Sequence, residues 1–224
     1  MRSRFAVALA LSSCLASYPH IAMAIESVRT QEIQECRSGE IATWSDGQDR
    51  PAASRELIFG YDPTNAPSRF SEYVVTQMVS KAAAAWSQCG VPVRVIHRAE
   101  ASSRTLGIIW VQWSETESRG NFGLANLSQR TISLSAKAFD LLNARNPTYD
   151  ARETLQMTIS HEMGHAFGLM AHSRRCIDVL SYYDDGKGHK CFRRHQQEPA
   201  NVVEYRHTLP TACDIERCKR ANGK

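Results

Sequence analysis

His161-Glu162-Met163-Gly164-His165-Ala166-Phe167-Gly168-Leu169-Met170-Ala171-His172, HEMGHAFGLMAH, is the stretch from which the rest of the chain can be read. His161 and His165 are four apart, so a helix would carry both on one face, where two imidazoles can reach one ion. Glu162 lies beside that face. A zinc ion that performs chemistry takes three protein ligands and keeps a position open for water. His172 is the candidate third ligand, with Gly168 between it and His165 to let the chain turn sharply. The HExxH spacing alone recurs by chance, as two histidines on the polar face of an ordinary helix. Here the motif, the glycine and the third histidine occur together. In that reading Glu162 takes the proton of a metal-activated water and returns it to the leaving amine.

The motif closes a longer helical pattern. Asp150 is the candidate N-cap, with Glu153 at capping-box spacing, and Leu155, Ile159, Met163 and Ala166 form an apolar row. Gly168 suits a left-handed stop. Upstream, Arg55 to Tyr61 reads as a strand and Phe70 to Gln88 as a helix. That helix carries Phe70, Val74, Met78 and Ala82 in one row, with Val75, Val79 and Trp86 beside it, and Gly90 is its stop. Val91 to Val95 alternates as a strand, and the apolar run Leu106 to Trp113 predicts a strand buried on both faces. Asn121 to Leu127 and Arg130 to Ser135 complete the strands, and an irregular tail with four cysteines follows. The order predicts an α+β or α/β layer with a loop-rich C-terminal part.

The zinc stretch resembles the HExxHxxGxxH signature of metzincin metallopeptidases. HAFGL (His165 to Leu169) followed by His172-Ser173 is most similar to the matrixin group. The order of a strand, a helix containing AAAAWSQCGVPVRV (Ala82 to Val95) and further strands also resembles a metzincin N-terminal subdomain. The resemblance implies a twisted, mostly parallel sheet of about five strands, a backing helix, an active-site helix, and a disulfide-bonded C-terminal subdomain. It implies one catalytic zinc on His161, His165 and His172, and an edge strand, Gly123-Leu124-Ala125-Asn126, that receives an extended peptide.

Two departures stand out. The family's third histidine falls at Ala171, and His172 comes one residue later, as if Met170 or Ala171 were inserted in a turn that can absorb it. If His172 misses the metal, Asp178, His189, His195, His207 or a water is the alternative ligand. A gluzincin-type site would use Glu198 or Glu204. The family's methionine turn is matched by Asp178 to Tyr183, with Leu180 at the methionine position, a volume-conserving change. Tyr182 stands where some metzincins have a tyrosine that binds zinc or an oxyanion, and ordinary packing suits a tyrosine there equally well.

The start of the chain reads as a signal peptide over residues 1–24: Arg2 and Arg4, an apolar run from Phe5, and Ala22-Met23-Ala24 as the cleavage site. Leu11-Ser12-Ser13-Cys14 resembles a lipobox, giving lipid anchoring at Cys14 as the lesser alternative to a secreted or periplasmic product. Cleavage would remove two arginines and no acid, taking the formal charge from +4 to +2. That balance gives no case for nucleic acid or an anionic membrane, and no segment predicts a transmembrane span. Six cysteines would remain, Cys36, Cys89, Cys176, Cys191, Cys213 and Cys218, an even set that reads as disulfides in an exported chain. Short loops favour Cys176–Cys191 and Cys213–Cys218, leaving Cys36–Cys89. ECRSGE (Glu35 to Glu40) does not match the matrixin motif in which a pro-segment cysteine blocks the zinc.

Residues 25–54 read as an N-terminal arm or short pro-segment. Residues 55–224 read as one metallopeptidase domain, its N-terminal subdomain running to about 168 and its C-terminal subdomain over 169–224. Asp184-Asp185-Gly186 offers carboxylates to calcium but reads first as a turn. The expected activity is that of a monomeric zinc endopeptidase on peptide or protein substrates. The alternatives are a catalytically weak binding or inhibitory protein on the same scaffold, or a zinc amidase acting on a cell-wall component.

Overall fold

The apolar run ending at Trp113 becomes the middle of a five-stranded sheet. The computed structural model describes residues 28–98, 106–195 and 204–224; the expected signal peptide, Cys14 and Glu198 lie outside them. Strands β1 (Leu57–Tyr61), β2 (Val93–Ile96), β3 (Ile108–Trp113), β4 (Gly123–Asn126) and β5 (Thr131–Leu134) are arranged in the order β2-β1-β3-β5-β4. The first three and β5 run parallel, and β4 closes one edge antiparallel to β5. The expected mixed layer with a five-stranded, mostly parallel sheet is therefore present. Several strands start later than predicted. Leu106 is 83% exposed, and Gly107 enters β3 with φ +87°, so the apolar run is not strand throughout.

Helix α1 occupies residues 28–34. Helix α2 (Glu72–Trp86) crosses between β1 and β2, capped by Ser71 accepting from the Val74 N–H, and ends through a short 3-10 turn at a left-handed Gly90. Its buried line is Val75, Val79, Ala82, Ala83 and Trp86. Of the predicted row, Phe70 and Ala82 are buried, while Val74 and Met78 are half-buried on the flank. Helix α5 (Ala151–Ala166) packs against α2, and Leu155, Ile159, Met163 and Ala166 are fully buried. The core lies between these helices and one sheet face. Among the described residues the other face carries a small cluster, Ile58, Ile96 and Ile108 with half-buried Trp110, and none of them covers β3 fully on that side.

Among the described residues four helices were not anticipated: α1, in the segment read as an arm, and three more. Those three are α3 (Glu115–Ser118), α4 (Ala136–Arg145, capped by Ser135) and α6 (Ala212–Ala221), which lies in the tail expected to be irregular. Thr211 and Asp214 form a reciprocal capping box on α6. This helix corrects two disulfide assignments. Cys213 and Cys218 are five apart on α6 and point to different sides, so they cannot pair with each other. The bonds are Cys36–Cys213, Cys89–Cys218 and, as expected, Cys176–Cys191.

Residues 35–54 are bound into the fold at both ends. Cys36 ties them to α6. Trp44 N–H donates to the His172 carbonyl, Arg50 N–H to Gly168, and Ala53 N–H to Ala166, each at 3.0 Å. Glu40 also anchors the arm, accepting from Arg194 at Nε (2.5 Å) and Nη2 (2.7 Å) and from the Arg37 N–H (2.8 Å). Partial burial alone would raise the Glu40 pKa, but the Arg194 bonds outweigh it and hold the carboxyl near about 2, against 4.5 ordinarily. A depressed carboxyl stabilises the fold above its unfolded pKa, and that stability is lost as pH falls toward the folded value. Glu40→Gln should lower the melting temperature at neutral pH by the loss of about 1–3 kcal/mol. It should also flatten the decline in melting temperature between pH 5 and pH 3, measured by scanning calorimetry. Parallel acid curves for the two proteins would contradict this account of Glu40.

Candidate metal centre

The last two turns of α5 carry His161, Glu162 and His165, and the loop beyond brings back His172. Helix α5 is held in place at these turns. The Trp86 indole N–H donates to the Ser160 carbonyl at 2.8 Å, and the Trp86 ring packs on Phe167. The Phe167 N–H bonds the Met163 carbonyl at the helix end. Gly168 then turns the chain with φ +99°, and a Cβ there would meet the Arg50 carbonyl oxygen at 1.9 Å. Only glycine satisfies both the conformation and the contact.

The three histidines each offer a nitrogen within 4.8 Å of the others', and their ring centroids lie 5.1 to 5.3 Å apart. The extra residue before His172 therefore does not keep it from the group. Each Nδ1 already has a partner. His161 Nδ1 meets the Val179 carbonyl at 2.8 Å, His165 Nδ1 the Leu169 carbonyl at 2.7 Å, and His172 Nδ1 the Asp46 carboxylate at 2.6 Å. Acceptors at all three Nδ1 atoms place the proton there and leave the Nε2 lone pairs free. His172 Nε2 is buried without a hydrogen-bond partner. Burial, reinforced by the neighbouring imidazoles, drives the His161 pKa well below normal and that of His165 to about 4, and burial lowers His172 as well. Three clustered, neutral imidazoles with Nδ1 engaged elsewhere fit a divalent zinc ion, for which imidazole is a common ligand.

Glu162 is 7% exposed, and its Oε2 accepts from the Ala125 N–H of β4 at 2.8 Å. Burial raises its pKa to about 7, against the opposing effect of that bond. Strand β4 is the sheet edge, and it borders a cleft of roughly 370 Å³ that also contains the three histidines, Tyr182 and Arg206. Gly123, Leu124 and Ala125 line this cleft, while Asn126 bonds within its own turn, to Gln129 and Ser128. Tyr182 stacks on His172 with ring centroids 3.7 Å apart. Its phenol pKa is raised by burial and by the Glu162 and Asp46 carboxylates. Leu180 is fully buried against the helix: a Cβ at Gly164 would meet its Cδ1 at 2.9 Å.

The other candidate ligands stand elsewhere. Asp178 is buried among Ser173, Arg175 and Thr211, Glu204 pairs with Arg206, His189 with Asp185, and His207 Nδ1 meets the Leu209 carbonyl. Among the described residues His195 is not part of the three-histidine group. Asp184 and Asp185 accept the turn's own N–H groups, consistent with a turn at this point. Sequence reasoning missed Asp46 and Asp49, which meet the 170–172 turn from the arm, and Arg206 at the cleft. No periodicity marks them; SDGQD (Ser45 to Asp49) reads as a polar loop.

No family model matches the chain, and no curated protein matches it. A solved structure titled "GM1 bound form of the ECX AB5 holotoxin" aligns with 12% identity and a TM-score of 0.46, covering 81% of this chain and 87% of that one. Likeness at this level shows nothing about activity.

The Gly168 geometry makes a direct prediction. Gly168→Ala should cost about 2–4 kcal/mol, from left-handed strain plus the clash with Arg50, and lower the melting temperature accordingly. A variant that melts with the parent would show that the turn is not as described.

Proposed function

We propose that the chain is an exported zinc endopeptidase of metzincin type, in which His161, His165 and His172 hold the ion through Nε2. The observation that carries this reading is the set of three buried, neutral imidazoles, each with Nδ1 occupied and with ligand nitrogens within 4.8 Å of one another, beside a buried carboxylate and a sheet edge. Zinc held there supplies Lewis-acid activation of water and of the scissile carbonyl. Glu162 accepts the proton released by the attacking water and passes it to the leaving amine. Its position against β4 keeps it in a dry wall of the cleft, where its basicity is matched to neutral pH.

Strand alternation turns the Gly123 and Ala125 backbone groups away from β5, toward the open edge, where the Ala125 N–H already donates to Glu162 and the Ala125 carbonyl faces the cleft side. An extended peptide adds to this edge by main-chain hydrogen bonds, which brings its carbonyl past Glu162. Tyr182 stands over His172 with a protonated hydroxyl, suited to donate to the oxyanion. Three disulfides suit an oxidising compartment, as the expected signal peptide implies, and no described helix is long and apolar enough to cross a membrane.

The test is cleavage of casein and of a peptide library by the wild type and by Glu162→Gln. The wild type should cleave, and the variant should lose about 10²–10⁴-fold in rate while still binding zinc. Undiminished cleavage by the variant would remove Glu162 from the chemistry. Cleavage of peptidoglycan fragments without any cleavage of peptides would point instead to a cell-wall amidase.

A further inference from the structure

His172 reaches the cluster one residue late, and the arm is built around that extra residue. The three consecutive N–H groups of Met170, Ala171 and His172 all donate to arm carboxylates. Met170 and Ala171 donate to Asp49 Oδ1 at 2.9 and 3.1 Å, and His172 to Asp46 Oδ1 at 2.8 Å. Asp49 is in turn held by Arg217 of α6, at Nε (2.5 Å) and Nη2 (2.7 Å), and Arg217 also donates to the Ala171 carbonyl. Between the two aspartates, Gly47 lies so close that a Cβ would meet the Met170 carbonyl oxygen at 2.5 Å. The other Asp46 oxygen takes the His172 Nδ1 at 2.6 Å.

The geometry points to Asp46 as the positioning residue of the third metal ligand, with Asp49 and Arg217 bracing the lengthened turn that carries it. One carboxylate fixes both the backbone and the ring of His172. Its Oδ1 pins the N–H, and its Oδ2 holds the proton on Nδ1, so that Nε2 keeps its lone pair for a metal. His161 and His165 need no such residue, because backbone carbonyls perform the same task for them. The arm is then a wall of the site. Removing residues 41–53 would disorder the third ligand, whereas removing an inhibitory pro-segment would free it. This inference rests on the reading of His172 as a metal ligand.

Asp46→Asn separates the two ideas. Asparagine has one acceptor oxygen for two donors. If that oxygen keeps the His172 N–H, the amide N–H₂ faces Nδ1 and drives the ring proton to Nε2. In the full disulfide-bonded, metal-free chain, ¹⁵N spectra should show the Nδ1–H tautomer of His172 in the wild type and a shift toward Nε2–H in Asp46→Asn. Zinc affinity, measured by competition with a chromophoric chelator, should fall about 10–100-fold in the variant. His172→Ala sets the scale. If His172→Ala leaves zinc affinity unchanged, the three-histidine reading fails. If His172→Ala weakens zinc but Asp46→Asn binds within about twofold of wild type with an unchanged tautomer, the role of Asp46 is overturned. Should Asp46→Asn not fold, the wild-type spectrum still decides, because an Nε2–H tautomer of His172 contradicts the proposal.

Discussion

Three imidazoles buried against one another must all stay neutral and must all keep their protons on the same ring atom. The structure meets this constraint by giving each Nδ1 its own acceptor: the Val179 carbonyl, the Leu169 carbonyl and the Asp46 carboxylate. These acceptors come from different segments, so the chain must converge on the site from several directions. Burial drives the ring pKa values down, and the acceptors fix the tautomer.

Much of the surrounding architecture follows from placing those acceptors. Val179 is itself held, its N–H donating to Asp214 Oδ2 of α6 at 2.9 Å, so the helix near the C-terminus supports His161 at one remove. The same helix sends Arg217 to Asp49 and receives the arm through Cys36–Cys213. Trp86 fixes the other side of α5 through Ser160, and Leu180 closes the space beside Gly164. The sheet contributes its edge: β4 presents the Ala125 N–H that holds Glu162.

Local patterns in the sequence identified the parts that depend on local chemistry. The four-residue spacing of His161 and His165 follows from helix geometry, Gly168 from its left-handed backbone, and the strands from apolar runs. His172 was legible only as a candidate, since a turn of unspecified shape had to return it. What supports it was not legible. Asp46 lies 126 residues from His172 in the chain, and a polar loop carries no period that would announce the contact. The disulfides erred for a related reason. Short spacing favoured Cys213–Cys218, but the helix that separates those side chains is strongly polar and was read as an irregular tail. Burial of one helix face against the rest of the fold decides such a segment more than its own composition does.

The central claim is that His161, His165 and His172 form one zinc site of three nitrogen donors. X-ray absorption at the zinc edge, on protein purified without added metal and assayed for metal content, tests it most directly. The account predicts about one zinc per chain, with three imidazole nitrogens at about 2.0–2.1 Å, one lighter oxygen ligand, and no sulfur. A chain that retains no zinc after purification and takes up none on addition, or a spectrum with sulfur or only two imidazoles in the first shell, would contradict it.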